Sequence, residues 1–262
     1  MHGTPVPPGA PGGIVLPGGT ADNPLAMGTA GGPPHVTLPL TPIRQVSVQN
    51  LDLSRQTNTP VTVVAEVDCS RLQAVHDQWK PAFERSTGMA LTYLPFFAQA
   101  TARALKAFPL LNSMLTPQGY IIPRSVHLGV AISVPGAVLI PCIRNAESKR
   151  LTDLVRDCNL LTQRARSGQL TQEEMTGSTF LISNTGRFGQ TLFGTPVIKP
   201  PNVGALAFET IVKRPVVTAD DQVVARPMMY LTLTADHRAV DGAEMVGFLG
   251  TVKDVLERTD FS

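Results

Sequence analysis

In the stretch TPVTVVAEVDC (59–69), Val61, Val63, Ala65 and Val67 occupy alternate positions. That two-residue period predicts a strand with one face buried. From Ser70 the spacing changes: Leu72, Val75, His76 and Trp79 recur at helical intervals and predict a helix. The segment LTYLPFFAQATARALKAF (91–108) is apolar over most of its helical surface, which predicts a helix deep in the fold. Pro95 falls in or near its first turn, where a missing N–H is tolerated best. HLGVAIS (127–133) and AVLIPCI (137–143) read as two short strands, with Pro135 and Gly136 making the turn. LTDLVRDCNLLTQRARSG (151–168) is amphipathic, with Thr152 as its expected N-cap and Gly168 as its stop. STFLISN (178–184), VGALAFETIV (203–212) and MMYLTLTA (228–235) predict further strands, and Ala243–Leu256 a closing helix. IRQVSVQNLDLSRQ (43–56) is rich in β-branched residues, so its helical character is left open. The alternation of strands and helices predicts a mixed α/β domain.

The first 41 residues are of another kind. They hold nine of the 22 glycines and nine of the 23 prolines, and Asp22 is their single charged residue. Such a segment buries too little apolar surface to offset its ordering entropy, so 1–41 is expected to be a flexible arm or linker. The folded domain is expected over 42–262.

Composition narrows the function. Hydrophobic residues make up 43% of the 262, enough for a substantial core, and 22 basic against 20 acidic residues leave +2. That balance is no footprint for nucleic acid or an anionic membrane. No apolar run reaches the roughly 18 residues of a membrane span. Cys69, Cys142 and Cys158 lie far apart without a CxxC pair. This argues against a disulfide framework or a metal site, predicts small buried side chains, and suits a reducing cytoplasm.

Five histidines can be weighed one by one. His2 and His35 lie in the arm; His76 sits in mid-helix beside Asp77, where packing is its expected role; His127 opens a strand and is expected to cap or pack. His237 differs. It ends the alternating strand of LTLTADHRAVDG (231–242) and leads into a turn with Asp241 and Gly242. A general base needs a rigid, reachable position and a pKa near the working pH, which imidazole supplies. Asp241 could orient the ring or pin the turn by pairing with an arginine, and Asp236 is expected to be structural.

DHRAVDG resembles the signature of the dihydrolipoyl acyltransferases of 2-oxo acid dehydrogenase complexes, whose catalytic domain is in turn similar to chloramphenicol acetyltransferase. LTYLPFFAQATARALKAFPLLNS, GQLTQEEMTGSTFLISNTGRFG, GTPVIKPPNVGALAFETIVKRPVV and GFLGTVKDVLE resemble family segments in the same order. Together they cover about 42 to 257. The resemblance implies a chloramphenicol acetyltransferase-like two-layer α/β sandwich with a mixed sheet. It implies trimers with active sites between subunits, and a hollow core of 24 or 60 chains. It implies acyl transfer between dihydrolipoamide and coenzyme A, with His237 as the base acting on a thiol. Ser183 in FLISNTG takes the place of the oxyanion donor, and Asp241 that of an orienting residue. Asn184, Thr185 and Arg187 are expected to line the substrate channel. Coenzyme A carries phosphates, yet the chain has no P-loop-like glycine run, and Lys213 and Arg214 read equally well as a solvated strand end. ETIVKRPVV and NTGRFG look closer to members acting on branched-chain or succinyl groups than to acetyl-specific ones.

The family usually places lipoyl domains and a small subunit-binding domain ahead of a linker. In this chain the first lysine is Lys80. The expectation is therefore a truncated version, or a lipoyl group supplied in trans by another protein of the complex. Ser133 stands where the family has an acid in a turn. Two rival readings remain: a free-standing coenzyme A-dependent acyltransferase with another acceptor, and a silent structural core subunit.

Overall fold

The structure is a computed structural model describing residues 39–189, 191–258 and 261, so most of the expected arm, with His2 and His35, lies outside the described residues. The chain enters through helix α1 (Pro42–Thr57), strand β1 (Pro60–Asp68), helix α2 (Ser70–Thr87) and helix α3 (Leu94–Ala107). The segment left open by its β-branched residues is thus helical. Thr41 caps it by accepting from the Arg44 N–H, and Pro42 sits in the first turn, where no donor is needed. Pro95 likewise lies in the first turn of α3, which begins three residues later than the apolar pattern suggested.

A small hairpin follows, β2 (Met114–Thr116) and β3 (Gly119–Ile121), which the pattern did not predict. The two expected strands around Pro135–Gly136 are each broken in two. Their inner parts, β5 (Ile132–Val134) and β6 (Ala137–Leu139), pair as a hairpin, with Gly136 at φ +78° in the turn. Their outer parts, β4 (Leu128–Val130) and β7 (Cys142–Ile143), join the main sheet. The break has a local cause. The Ala131 N–H donates to Ile182 O, and Pro141, which has no N–H, accepts from Val130.

Helix α4 (Leu151–Ser167) ends at Gly168 with φ +68°, as expected. Its start corrects the expectation: Arg150 holds the cap position, and the Asp153 carboxylate accepts from the Arg150 N–H at 3.3 Å, so Thr152 lies inside the first turn. Strands β8 (Phe180–Asn184), β9 (Gly204–Phe208), β10 (Val212–Val217) and β11 (Val223–Asp236) follow, and helix α5 (Gly242–Arg258) closes the fold. The predicted strand 203–212 is divided: β9 ends at Phe208, although the Glu209 N–H still donates to Tyr230 O on β11, and pairing to β11 resumes in β10 at Val212.

The main sheet runs β1-β11-β9-β8-β4-β7, with β10 also paired to β11. It is mixed: β8 is parallel to β4 and β9, and the other pairings are antiparallel. Strand alternation sorts its faces. Phe180, Ile182, Leu206, Phe208, Met229, Leu231 and Leu233 pack against helical residues including Leu72, Phe96, Phe97, Leu105 and Phe248. The Phe97 and Phe208 rings stack at 4.1 Å. The other face carries Ser183, Tyr230, Thr232 and Thr234, and Thr62 pairs its hydroxyl with Thr234 at 2.8 Å. It is partly covered by α1 and residues 191–201: Ser54 Oγ donates to Ile198 O at 2.7 Å, and Phe193 meets Tyr230 edge-on. All three cysteines are free and buried. Among the described residues, no helix is long and apolar enough to cross a membrane.

Candidate active site

His237 is the first residue past β11, and it is exposed. Its backbone is held firmly. The His237 N–H donates to Thr59 O at 2.9 Å, and the Asp236 carboxylate accepts from the Thr59 N–H at 3.1 Å. Asp236 itself is 2% exposed. It takes two oxygens' worth of bonds from Arg238, Nε to Oδ1 at 3.0 Å and Nη2 to Oδ2 at 2.6 Å. Burial alone would push the Asp236 carboxyl up, but the bonds from Arg238 and from the Thr59 and Arg238 N–H groups hold it below the usual value. Arg238 also reaches Thr57 O, and Tyr120 Oη donates to Ala239 O at 2.9 Å. The structural role expected of Asp236 is what the fold uses. Among the described residues, the His237 ring has no hydrogen-bond partner.

Within this single chain, Asp241 caps the helix that follows the histidine turn. Its Oδ1 accepts from the N–H groups of Ala243 (2.9 Å) and Glu244 (3.1 Å), while Glu244 Oε2 accepts from the Asp241 N–H at 3.2 Å. This reciprocal cap fixes the start of α5 directly behind the histidine turn. Among the described residues no bond joins it to the imidazole, and Arg238 pairs with Asp236 instead.

Ser183 stands at the C-terminal end of β8, half-buried, and its hydroxyl has no partner among the described residues. The register sets its distance from His237. Ser183 aligns with Ala207, and Ala207 with Thr232. His237 is five residues beyond Thr232. At 3.4 Å per residue that is about 17 Å along the sheet, and two strand spacings add about 10 Å across it. Within one chain the two groups therefore sit toward opposite ends of the sheet, far beyond the roughly 3 Å reach of proton transfer.

Asn184 and Arg187, which follow Ser183 in the chain, line a hollow of about 870 Å³ together with Arg166, Gln163 and Thr92; Ser183 itself is not part of that lining. Burial lowers the pKa of the Arg187 guanidinium, and the neighbouring Arg166 charge adds to it. Arg166 was not singled out in the sequence; an exposed helix arginine carries no signal until the fold places it there. The Thr185 hydroxyl donates to Glu209, and Thr185 is not part of the lining of this hollow. The other histidines fall as expected: His76 is buried, bonded to Asp77 and Leu91 O, and His127 Nδ1 accepts from the Asn145 N–H. Lys213 and Arg214 lie on β10, and Arg214 is engaged by Glu66 and the Tyr230 ring. Among the described residues, no group of three or more His, Cys, Asp or Glu could hold a metal ion.

Residues 32–261 match the family described as 2-oxoacid dehydrogenases acyltransferase (catalytic domain). The chain is 34% identical over 223 residues to the lipoamide acyltransferase component of the branched-chain alpha-keto acid dehydrogenase complex of Bacillus subtilis, covering 85% of this chain and 52% of that protein. It is 36% identical over 234 residues to the dihydrolipoyllysine-residue succinyltransferase component of the 2-oxoglutarate dehydrogenase complex of Cupriavidus necator, covering 89% and 56%. The chain thus spans about half the length of these curated relatives. Among solved structures, it resembles the dihydrolipoamide acetyltransferase of Azotobacter vinelandii, a crystal structure that addresses the role of a serine, a histidine and an asparagine in catalysis. The TM-score is 0.82 at 31% identity, covering 93% of this chain and 98% of that one. Chloramphenicol acetyltransferase shares the fold, with a TM-score of 0.51 at 17% identity over 80% of this chain and 94% of that one. The expected two-layer architecture is therefore the one observed.

Proposed function

This chain belongs to the family of 2-oxoacid dehydrogenase acyltransferase catalytic domains, and on that premise we propose that it moves an acyl group between dihydrolipoamide and coenzyme A, at a site shared by two neighbouring subunits. The observation that carries this reading is the placement of two unpartnered groups. Among the described residues, His237 and Ser183 lie toward opposite ends of one sheet, each side chain without a hydrogen-bond partner, which supports a second copy supplying the missing half.

In that site the His237 imidazole takes the proton of the incoming thiol. The thiolate sulfur forms a bond to the thioester carbonyl carbon, and the electron pair of the C=O bond moves onto oxygen. Ser183 Oγ–H donates a hydrogen bond to that oxygen. The oxygen's electron pair then re-forms the carbonyl, the older C–S bond breaks, and the leaving thiolate takes the proton from the imidazolium. The acyl group changes sulfur, and nothing is oxidised or reduced. Asp241 is a positioning residue: its cap on α5 and the Asp236–Arg238 pair hold the turn that aims His237. In the Azotobacter relative the histidine and asparagine stand four positions apart, as His237 and Asp241 do here. Asn184, Thr185 and Arg187, the residues that follow Ser183 in the chain, are assigned to the substrate channel.

The same reading makes the protein a homotrimer, and trimers the units of a larger core of 24 or 60 chains; one related core is cubic. The lipoyl group is presented to it by a lipoyl-bearing partner among the other components of a dehydrogenase complex. Three free thiols suit a cytoplasmic setting. The test is acyl transfer from acetyl-, succinyl- and isobutyryl-coenzyme A to free dihydrolipoamide. His237→Ala should lower kcat by roughly 10²–10⁴, and the preferred donor identifies the acyl class. A folded, oligomeric wild type that is inert with every donor would overturn the reading in favour of another acceptor or a structural core role.

A further inference from the structure

Glu209 is an acid in an apolar run, AFETIV, and it is 1% exposed. Burying a carboxylate is costly unless each oxygen finds a donor. Here Oε2 accepts from the Thr185 hydroxyl, and Oε1 from the Gly194 N–H at 3.0 Å. Its own N–H donates to Tyr230 O at 3.1 Å, which keeps the residue tied to β11 after the β9 ladder ends. Among the described residues it has no ion-pair partner, so its compensation comes from these hydrogen bonds.

The two donors come from separate places. Thr185 lies two residues past Ser183, where β8 turns into a 3-10 segment, Thr185–Phe188. Gly194 belongs to the segment that crosses the sheet face on which Ser183 stands. The turn is also flush against the same residue: a Cβ added at Gly186 would overlap the backbone carbonyl of Glu209. One buried carboxylate therefore sets the end of the serine strand, the turn after it and the crossing segment relative to each other.

We propose that Glu209, through Thr185 and Gly194, is a positioning residue that fixes Ser183 for its part in acyl transfer. This rests on the reading of Ser183 as the oxyanion donor. A hydrogen bond to a developing charge loses its value quickly with displacement, and a shift of about 1 Å can cost up to 10²-fold in rate. The Glu209 clasp should therefore act on kcat, and only while the Ser183 hydroxyl is present.

The experiment is a double-mutant cycle on the full chain, with dihydrolipoamide and the best of the three coenzyme A donors. Glu209→Ala should lower kcat by roughly 10- to 100-fold, with KM for the donor within about twofold of wild type. In a Ser183→Ala background the same change should cost less than about twofold further. Glu209→Gln should recover most of the rate, because the amide still offers an acceptor for Gly194 and the Thr185 hydroxyl can turn to Phe208 O, already 3.4 Å away. Thr185→Val removes one donor with little change of volume, so the cycle can be run on it if Glu209→Ala does not fold. Equal losses with and without Ser183, or a loss confined to KM, would overturn the proposal while leaving the serine reading intact. A Ser183→Ala variant as fast as wild type would overturn both.

Discussion

A site divided between subunits makes a quantitative prediction for mixed oligomers. His237→Ala and Ser183→Ala chains, each with a different affinity tag, are co-expressed in equal amounts, and oligomers carrying both tags are isolated. In a cyclic trimer every interface pairs the histidine of one chain with the serine of the next. In each doubly tagged trimer one of the three interfaces joins an intact His237 to an intact Ser183, so about a third of wild-type kcat per site should return. Each variant alone should fall by roughly 10² or more. The background is therefore about 1% of wild type, and the recovery stands well above it. The expectation comes from the register: the two residues are about 20 Å apart in one chain, a gap no side-chain rotamer closes. A within-chain site gives no recovery, because every chain lacks one of the two groups. Doubly tagged oligomers with only the activity of the single variants would refute the shared site, as would a wild type that sediments as a monomer at full activity.

Other consequences follow from groups around the site. Asp236→Ala should destabilise the fold by about 2–3 kcal/mol in urea unfolding, since it leaves the Arg238 and Thr59 donors without their acceptor. Because the folded Asp236 pKa is lowered, the stability it contributes is present above its unfolded value near 3.9 and lost as pH falls through the folded value. The gap between wild type and variant should be flat above about pH 5 and close below about pH 4. Asp241→Ala removes the α5 cap and should cost about 1 kcal/mol, with Asp241→Asn recovering most of it, as read by thermal unfolding. Burial pushes the Cys69 thiol to about 12 and raises those of Cys142 and Cys158. A thiol reagent at pH 8 should therefore label no described cysteine in the native chain and all three after denaturation; rapid native labelling would contradict this burial.

Much of the fold could be read from periodicity alone, because the strands and helices that form the core each have one apolar face. The breaks in the strands could not. They depend on which partner supplies the next hydrogen bond: Ile182 takes the Ala131 N–H, and Pro141 has none to give. The hairpin at 114–121 has strands of three residues, too short for an alternation to register. The α4 cap moved by two positions because the Asp153 side chain reached back to Arg150, a competition that a preferred-residue rule does not see.

The candidate site divides the same way. His237 was legible because its surroundings are local: a buried strand, a turn and a helix start lie within twelve residues. Ser183 was legible mainly by resemblance, since a serine at a strand end is common. Glu209 was invisible as a site residue because its partners are 24 and 15 positions away, and only the β8–β9 register brings them together. Its one local sign was an acid inside an apolar stretch, which ordinarily marks a strand end. The sequence near His237 accounts for how its backbone is held, whereas on the proposed reading what its ring meets depends on another copy. A residue whose bonds all lie in its own turn can be inferred from a short window. One whose function needs two strands, or two subunits, becomes evident only after the register is known.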